Sequence, residues 1–395
     1  MNFEREFADS EADWAINSQT LTRRDFVRLA GTAGLVLASG TALVACGGAG
    51  SASATPAASV AASGAAAASA NGAASAAPSR PAASPAVSRS GPLDKVSVAL
   101  PTIAQSQAAY LVARENGYYA QEGIEPDLQV VAPNLGVQGA AAGSYTFSGS
   151  AAQAAIARLG GAPLKVVFNP GSSITWWLTA NQKAGVKTVE GLKGKTMAIE
   201  GPGTLSATFT QALLRKHGLN PDTDIKFVGV GAVANWLPAV IGGAVDAGIA
   251  PDSDSYLKGK QQGLVELAWY GKELHATLSG AATSDKLLSE KPDLVKRFLR
   301  ATIKGLRAYK ANKSQSVSIM AKLTKLPEDE VSAAYDIESP LTLSDGILDE
   351  PAQRDFLDLA AQTLKMQGSV DPKTVYAYDL TRQAAQELAA EHWSP

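Results

Sequence analysis

The chain contains 395 residues with a formal net charge of −2, and 46% of its residues are hydrophobic. A charge so close to zero, without a basic cluster, argues against nucleic acid as a partner. The single cysteine excludes a disulfide bond within the chain. None of the histidines (His217, His275 and His392) has a metal-binding spacing, so we predict no metal site and no cofactor.

The first 45 residues have the organisation of an export signal. A polar start leads to the sequence TRRDFVR at 22–28, in which Arg23 and Arg24 resemble a twin-arginine (Tat) motif. The apolar run over 29–45 is diluted by glycine and is too short for a transmembrane helix. We interpret residues 1–45 as a Tat-type signal peptide. The alternative is an amphipathic N-terminal helix with accidental arginines.

Cys46 ends the apolar run in the sequence LVAC, which resembles a bacterial lipobox. We therefore expect Cys46 to carry a lipid that anchors the protein to the extracytoplasmic face of the cell membrane, rather than to lie in a core. Residues 46–91 consist almost wholly of Ala, Ser, Gly and Pro, so they cannot bury enough apolar surface to fold. We predict a disordered tether with a mean reach of roughly 35–40 Å.

Strand and helix patterns alternate through most of the body that begins near Pro92. Its length of about 300 residues exceeds what one hydrophobic core supports, so two lobes are expected. The alternation favours α/β lobes built on mainly parallel sheets. We predict strands over 95–100, 127–131, 145–148, 164–168, 174–180, 196–199, 224–230 and 247–250, and helices over 106–117, 151–159, 205–217 and 233–242.

From Pro292 onward the pattern becomes helical. Apolar residues between Val295 and Leu306 recur at spacings of three and four, with Lys and Arg on the opposite face. We interpret that positive face as a solvated helix surface. Pro327 and Pro351 each suit the first turn of a further helix.

Several segments of the body share a collinear pattern. Residues 110–123 read YLVARENGYYAQEG, and further matching segments follow at 161–167, 192–196, 242–247 and 292–299. Together they resemble ABC transporter solute-binding proteins of the nitrate/sulfonate/taurine and thiamine-pyrimidine-precursor type. This resemblance implies a type 2 periplasmic-binding fold: two α/β lobes, a helical C-terminal part and a ligand cleft between the lobes. The pattern departs at 136–143, where that group has a clear amphipathic helix.

The resemblance also implies how the chain is divided. Lobe 1 is interrupted by the insertion of lobe 2, because the chain crosses between the lobes twice. The predicted parts are the signal peptide (1–45), the tether (46–91), the first part of lobe 1 (92–178), lobe 2 (179–277) and the helical second part of lobe 1 (278–395).

Two strand ends lead directly into helix N-termini, one in each predicted lobe. Ligands in open α/β sheets lie at the carboxyl ends of strands. Free backbone N–H groups and the positive helix end there suit an anionic or polar group. The alternative is that the hydroxyl groups only cap the helices. The candidate ligand-binding residues at these corners are Ser148, Gly149, Ser150, Gly203, Thr204 and Ser206.

Further candidates follow other strand ends or carry aromatic rings. The aspartate after the strand at 247–250 could meet a ligand amine or hydroxyl, or could equally start a turn. Adjacent tryptophans at 176 and 177 face opposite sides of a strand, so at most one of them should line the cleft. The remaining candidates are Gln105, Ser106, Trp176, Trp236 and Asp252.

Enzyme motifs are not convincing. Residues 229–234 fit the dinucleotide pattern GxGxxA, but they lie deep in the chain, and the GKT at 194–196 lacks the earlier glycine of a phosphate loop. No GxSxG elbow is present. Pyrimidine-forming enzymes that share the implied fold carry a cysteine-rich segment, which this chain lacks. We therefore predict that the protein is not an enzyme.

The prediction from sequence is a monomeric, lipid-anchored receptor. Its two lobes close on a small anionic or polar solute (sulfonate-, nitrate- or pyrimidine-like), and the closed form delivers the solute to an ABC permease. A receptor that signals to a membrane sensor kinase is the alternative, and an enzyme that uses the cleft is the less favoured third possibility.

Overall fold

The computed structural model describes residues 91–395. The predicted signal peptide with Arg23 and Arg24, the lipid site Cys46 and all but the last residue of the predicted tether lie outside the described residues. Within the described part, no helix combines the length and apolar character that a membrane crossing requires.

The strands of the described residues form two separate sheets. Four predicted elements, the strands at 164–168, 196–199 and 247–250 and the helix at 151–159, have the bounds that the sequence predicts. In chain order the strands are β1 (Asp94–Leu100), β2 (Ile124–Val130), β3 (Phe147–Ser148), β4 (Leu164–Phe168), β5 (Trp177–Asn181), β6 (Thr196–Ile199), β7 (Lys226–Gly229), β8 (Ala247–Ala250), β9 (Leu264–Trp269) and β10 (Ala281–Ser284).

The two sheets have the same organisation. The spatial order is β2-β1-β3-β10-β4 in the first sheet and β7-β6-β8-β5-β9 in the second. β10 is antiparallel to its neighbours in the first sheet, and β5 is antiparallel to its neighbours in the second. Both are strands by which the chain enters a sheet after leaving the other. The remaining pairings are parallel, in agreement with the prediction of mainly parallel sheets.

Short helices cover the faces of both sheets. Apolar residues fill the space between sheet and helix, as the buried side chains of Val96, Val98, Leu111 and Val112 show for the first sheet. The helices of this part are α1 (Ala108–Glu115), α2 (Tyr118–Gln121), α3 (Pro133–Ala142), α4 (Ala151–Leu159), α5 (Leu205–Lys216), α6 (Pro221–Asp224), α7 (Trp236–Ile241), α8 (Ser253–Gln261) and α9 (Tyr270–Glu273).

Two chain segments connect the sheets and lie side by side. The indole N–H of Trp269 donates to the carbonyl of Ile174 at 2.9 Å, and the amide of Tyr270 donates to the carbonyl of Trp176 at 3.0 Å. The carbonyl groups of Ile174 and Trp176 therefore bond the other crossing. β5 begins only after them, at Trp177, and the prediction that it begins at Ile174 is wrong. We propose that each sheet with its helices forms one lobe, which moves Trp177 and Leu178 from the predicted first lobe into the second.

The segment 136–143, which departs from the resemblance, nevertheless contributes to a regular helix. Proline starts α3, and Gly143 ends it in the left-handed conformation at φ 85°. A Cβ on Gly136 would lie 2.9 Å from the Cβ of Ala99, and one on Gly139 would lie 2.5 Å from the ring of Tyr145. The glycines therefore let the helix approach its neighbours closely, which is why its sequence shows no large apolar stripe.

The C-terminal helices pack mainly on the first sheet. Helix α11 carries the predicted apolar stripe, with Val295, Phe298 and Leu299 fully buried, and it packs against α1 and the last helix, α15. The helices are α10 (Asp285–Glu290), α11 (Pro292–Ala311), α12 (Lys313–Thr324), α13 (Glu328–Glu338), α14 (Glu350–Thr363) and α15 (Asp379–Ala390).

The basic face of α11 is not a solvated surface, and our interpretation of it from the sequence is wrong. Arg300 pairs with Glu122 at 3.1 Å and with Glu391 at 2.8 Å, while Lys304 pairs with Glu122 at 2.6 Å. The side chains of Arg300, Lys304 and Glu122 are each no more than 11% exposed. Glu391 directly follows α15 and Glu122 directly follows α2, so helical periodicity within α11 could not identify these partners.

Substitution of Glu122 tests how much this ion network stabilises the fold. Glu122→Gln removes the shared partner of two buried cations, so we expect a loss of about 3 kcal/mol in the free energy of unfolding. Urea denaturation measures it. Glu391→Gln is the matched control, because that carboxylate is 51% exposed, and its loss should stay below about 1 kcal/mol. Equal losses in both variants would contradict the prediction.

Candidate functional site

The two predicted corners face each other across a cleft between the sheets. Gln153, in the first turn of α4, accepts a hydrogen bond through Oε1 from the backbone N–H of Leu205, the first residue of α5, at 3.3 Å. Since α4 follows a strand of the first sheet and α5 follows a strand of the second, this bond spans the cleft. The helix N-termini of the two halves therefore converge on one space.

That space is the central chamber. It encloses about 550 Å³ of empty volume, part of it open to solvent. Its walls come from both halves of the molecule, and their polar groups are mostly uncharged. The lining residues are Pro101, Thr102, Ser106, Gln107, Pro133, Gly149, Ser150, Gln153, Thr175, Trp176, Glu200, Leu205, Val233, Trp236, Pro251, Leu278 and Ser279.

Two indole rings form the aromatic wall of the central chamber. The rings of Trp176 and Trp236 meet edge to face, with centroids 5.4 Å apart and an interplanar angle of 81°. Trp236 is held in place by its own N–H, which donates to the carbonyl of Gly231 at 2.9 Å. Trp177 lies in different surroundings, stacked between Tyr256 and Trp269.

A second cavity, the hinge-side chamber, lies toward the two crossings and holds about 450 Å³ of empty volume. It shares Ser106, Thr175, Leu278 and Ser279 with the central chamber. Its wall includes Gln105, Pro170, Ser173, Thr277, Tyr309, Glu338 and Thr342. Glu338, at the end of α13, belongs to a part of the chain that the sequence did not connect with the site.

On the opposite side, the central chamber opens into an outer groove that holds about 1050 Å³. Asp252 lines this groove rather than the central chamber. Its side chain caps α8 by accepting a hydrogen bond from the amide of Ser255 at 2.7 Å, and burial raises the pKa of its carboxyl. The turn-starting alternative for Asp252 therefore has direct structural support.

The structure brings only part of the predicted site together. The central chamber is lined by five of the candidates, namely Ser106, Gly149, Ser150, Trp176 and Trp236. Gln105 lines the hinge-side chamber. The remaining corner candidates, Ser148, Gly203, Thr204 and Ser206, do not line these chambers.

Local hydrogen bonds engage most of the candidates that lie off the chambers. Thr204 accepts from the amide of Ala207 at 3.5 Å as the N-cap of α5, and Ser206 accepts from the amide of Glu200 at 2.8 Å. Ser148 accepts from the amide of Ser150 at 3.3 Å. These hydroxyl groups stabilise the local backbone at the two strand-to-helix junctions, in agreement with the alternative that they only cap the helices.

The central and hinge-side chambers, together called the inner chambers, have acidic but no basic side chains among their described lining residues. Glu200 lines the central chamber and Glu338 the hinge-side chamber. Burial raises the pKa of the Glu200 carboxyl above its usual range, and burial raises that of Glu338 to about 8. Both shifts favour the neutral acid. Because no lysine, arginine or histidine is among the described lining residues of the two chambers, these walls offer no cationic side chain to an anion.

Two lining glutamines were missed as site residues. Gln107 and Gln153 stand at the starts of helices, where polar residues are common and carry no specific signal. Gln107 is fully buried, and its Nε2 donates to Ser279 at 3.0 Å, while its Oε1 has no hydrogen-bond partner. Only the arrangement of both halves shows that these amides face the cleft.

Comparison with known proteins adds the family. Residues 105–316 match the family model described as NMT1/THI5 like. The chain belongs to the NMT1/THI5-like family. The match includes the crossings and most of the residues that line the central chamber. The chain is also 28% identical over 243 residues to the riboflavin-binding protein RibY of Chloroflexus aurantiacus, which covers 60% of this chain and 68% of RibY.

Solved structures agree on the fold. The NMT1/THI5-like chain resembles the nitrate-binding protein NrtA of Synechocystis PCC 6803 with a TM-score of 0.61 and 15% identity, over 75% of this chain and 89% of NrtA. It resembles the alkanesulfonate-binding protein SsuA of Xanthomonas axonopodis with a TM-score of 0.60 and 17% identity, over 75% of this chain and 99% of SsuA. The predicted periplasmic-binding-protein fold is thereby confirmed.

Proposed function

We propose that this protein is the solute receptor of an ABC importer and that it binds a flat, uncharged heteroaromatic solute. The observation that carries this proposal is the central chamber, where the indoles of Trp176 and Trp236 form an aromatic wall beside neutral amide and hydroxyl groups. Chambers with this composition suit ring systems that carry a few hydrogen-bonding atoms. The similarity to RibY, a riboflavin-binding protein, points in the same direction.

An anionic solute has less support than a neutral one. No described residue that lines the two inner chambers is a lysine, an arginine or a histidine. A sulfonate or nitrate would therefore depend on the backbone N–H groups at the helix starts. One of these, the N–H of Leu205, already donates to Gln153. We therefore narrow the predicted class of solutes to its pyrimidine-like and flavin-like members.

Closure of the two lobes supplies the transport mechanism. The paired crossings act as the hinge. The hydrogen bond between Gln153 and Leu205 joins the two lobes across the cleft. The closed form docks on a permease and releases the solute there.

The signal at Arg23 and Arg24 exports the protein, and a lipid on Cys46 keeps this monomeric receptor at the extracytoplasmic membrane face. Loss of membrane association in a Cys46→Ser variant tests the anchor.

The purified protein should be titrated with riboflavin, a pyrimidine, taurine and nitrate, with melting temperature and tryptophan fluorescence as readouts. A ligand that binds only the folded state stabilises it by RT ln(1 + [L]/Kd), about 2.7 kcal/mol at a hundredfold excess over Kd. We expect the heteroaromatic compounds to raise the melting temperature and to quench the indoles of the chamber. A response to taurine or nitrate alone would overturn the proposed class of solute.

A further inference from the structure

The central and hinge-side chambers lie side by side and differ in character. Four residues line both chambers, so the two spaces are adjacent. The central part has the two indoles. The hinge-side part has hydroxyl, amide and carboxyl groups from Gln105, Ser173, Thr175, Tyr309 and Glu338. A solute that filled both parts would need an aromatic portion and a polar portion.

Two buried amides in this space have an unpaired end. Gln105 is 3% exposed; its Oε1 accepts from the hydroxyl of Tyr309 at 2.9 Å, and its Nε2 has no partner. Gln107 bonds Ser279 through Nε2 and leaves Oε1 unpaired. Since each partner is a hydroxyl that can donate or accept, one end of each amide stays unpaired whichever way the amide is turned. Buried polar atoms without partners are costly and rare, which points to a partner supplied by the solute.

Asp254 of the second lobe lies next to Gln105. Burial raises the pKa of Asp254 to about 7, and hydrogen bonding from the backbone and side-chain N–H groups of Gln105 opposes this shift. Neither carboxylate oxygen of Asp254 has a hydrogen bond of ordinary length. The contact between Asp254 and Gln105 is therefore long, and a solute group at ordinary hydrogen-bond distance would replace it.

The charges around the hinge-side chamber favour a neutral polar group over an ion. Glu338 is the acidic residue that lines it, and burial raises the pKa of Glu338 to about 8, which keeps this carboxyl mostly protonated and therefore neutral at neutral pH. One carboxyl oxygen of Glu338 already accepts from the backbone N–H of Ser253 at 3.3 Å. Hydroxyl groups of a solute can both donate and accept along this wall.

We infer that the solute has two parts: a flat ring that occupies the central chamber and a hydroxylated side chain that enters the hinge-side chamber and bonds Gln105 and Thr175. This inference rests on the proposed function, because it assumes the ring in the central chamber. It adds that Gln105 and Thr175, which line the hinge-side chamber, determine specificity for the side chain of the solute.

The test compares riboflavin, which carries a ribityl chain, with lumiflavin, which has the same ring and a methyl group instead. We expect calorimetry to show that riboflavin binds at least about tenfold more tightly than lumiflavin. The variants Gln105→Met and Thr175→Val should each weaken riboflavin binding by about tenfold and change lumiflavin binding by less than about twofold.

Gln353→Met is the matched control, because Gln353 is a buried glutamine that bonds the carbonyl of Leu348 and lines neither chamber. It should leave both affinities unchanged, and thermal melting should show that all variants fold. Equal affinities of the two flavins, or equal losses for both in the Gln105 and Thr175 variants, would overturn the inference while the ring-binding function stands. If neither flavin binds, the flavin-like solute class fails and the two-part solute fails with it.

Discussion

Replacement of Trp236 with leucine should weaken riboflavin binding by about 30-fold or more, because central aromatic residues in desolvated sites commonly contribute about 2 kcal/mol or more. The indole is 2% exposed and forms the aromatic wall with Trp176. Leucine keeps an apolar side chain but removes the flat surface and the N–H that bonds Gly231. Isothermal titration calorimetry measures the dissociation constant directly.

Trp177→Leu is the matched control for this prediction. Trp177 is 3% exposed and stacks on Tyr256 and Trp269, so its loss should destabilise the second lobe by about as much as the loss of Trp236. It does not line the chambers, however. We expect a lower melting temperature with an unchanged affinity. Similar affinity losses in the two variants would show that binding responds to stability of the lobe and not to the aromatic wall.

Local signals in the sequence were sufficient for the elements that depend on local patterns. Strands β4, β6 and β8 are short apolar runs between turns, and their predicted bounds are confirmed. Strands β9 and β10 were not predicted, although β10 lies within the first sheet. The position of β10 depends on a return crossing from the second sheet, which leaves no periodic signal in its few residues.

The candidate site shows the same division between local and distant information. Strand ends followed by helix starts predicted the corners, and Ser150 lines the central chamber as a result of that geometry. Glu338 could not be found in this way, because it lies far along the chain and reaches the site through the packing of α13 on α8. The absence of basic residues from the described chamber walls likewise depends on which side chains converge, so the sequence allowed an anionic solute that the chambers favour less.

The acidic residues between the lobes lead to a second prediction, on pH. Glu338 of α13 accepts from Ser253, the first residue of α8. It also faces Asp252, the N-cap of α8, and Asp254 in the first turn, with the Tyr309 hydroxyl nearby. Burial raises the pKa of Glu338 from 4.5 to about 8, and burial and the charge of Asp252 raise that of Asp254 from 3.8 to about 7. These three carboxyls therefore fit their surroundings best when they are protonated.

The sign of the effect follows from proton binding. Between the ordinary pKa values near 4 and the raised values of about 7 and about 8, the folded state binds more protons than the unfolded state. The free energy of unfolding should therefore fall as pH rises from about 5 to about 8, by several kcal/mol in total, since one pKa unit corresponds to about 1.4 kcal/mol. Chemical denaturation at a series of pH values measures this slope.

Glu338→Gln should reduce the slope, because glutamine imitates the protonated acid and cannot ionise. The variant should gain stability relative to the natural chain as pH rises, and the gain should be largest near pH 8 and above, where Glu338 must otherwise be charged. Glu328→Gln, an exposed change in the first turn of the same helix, should leave the slope unchanged. A Glu338→Gln variant with the full natural slope would show that ionisation of Glu338 does not contribute to the pH dependence of stability, which would contradict the prediction.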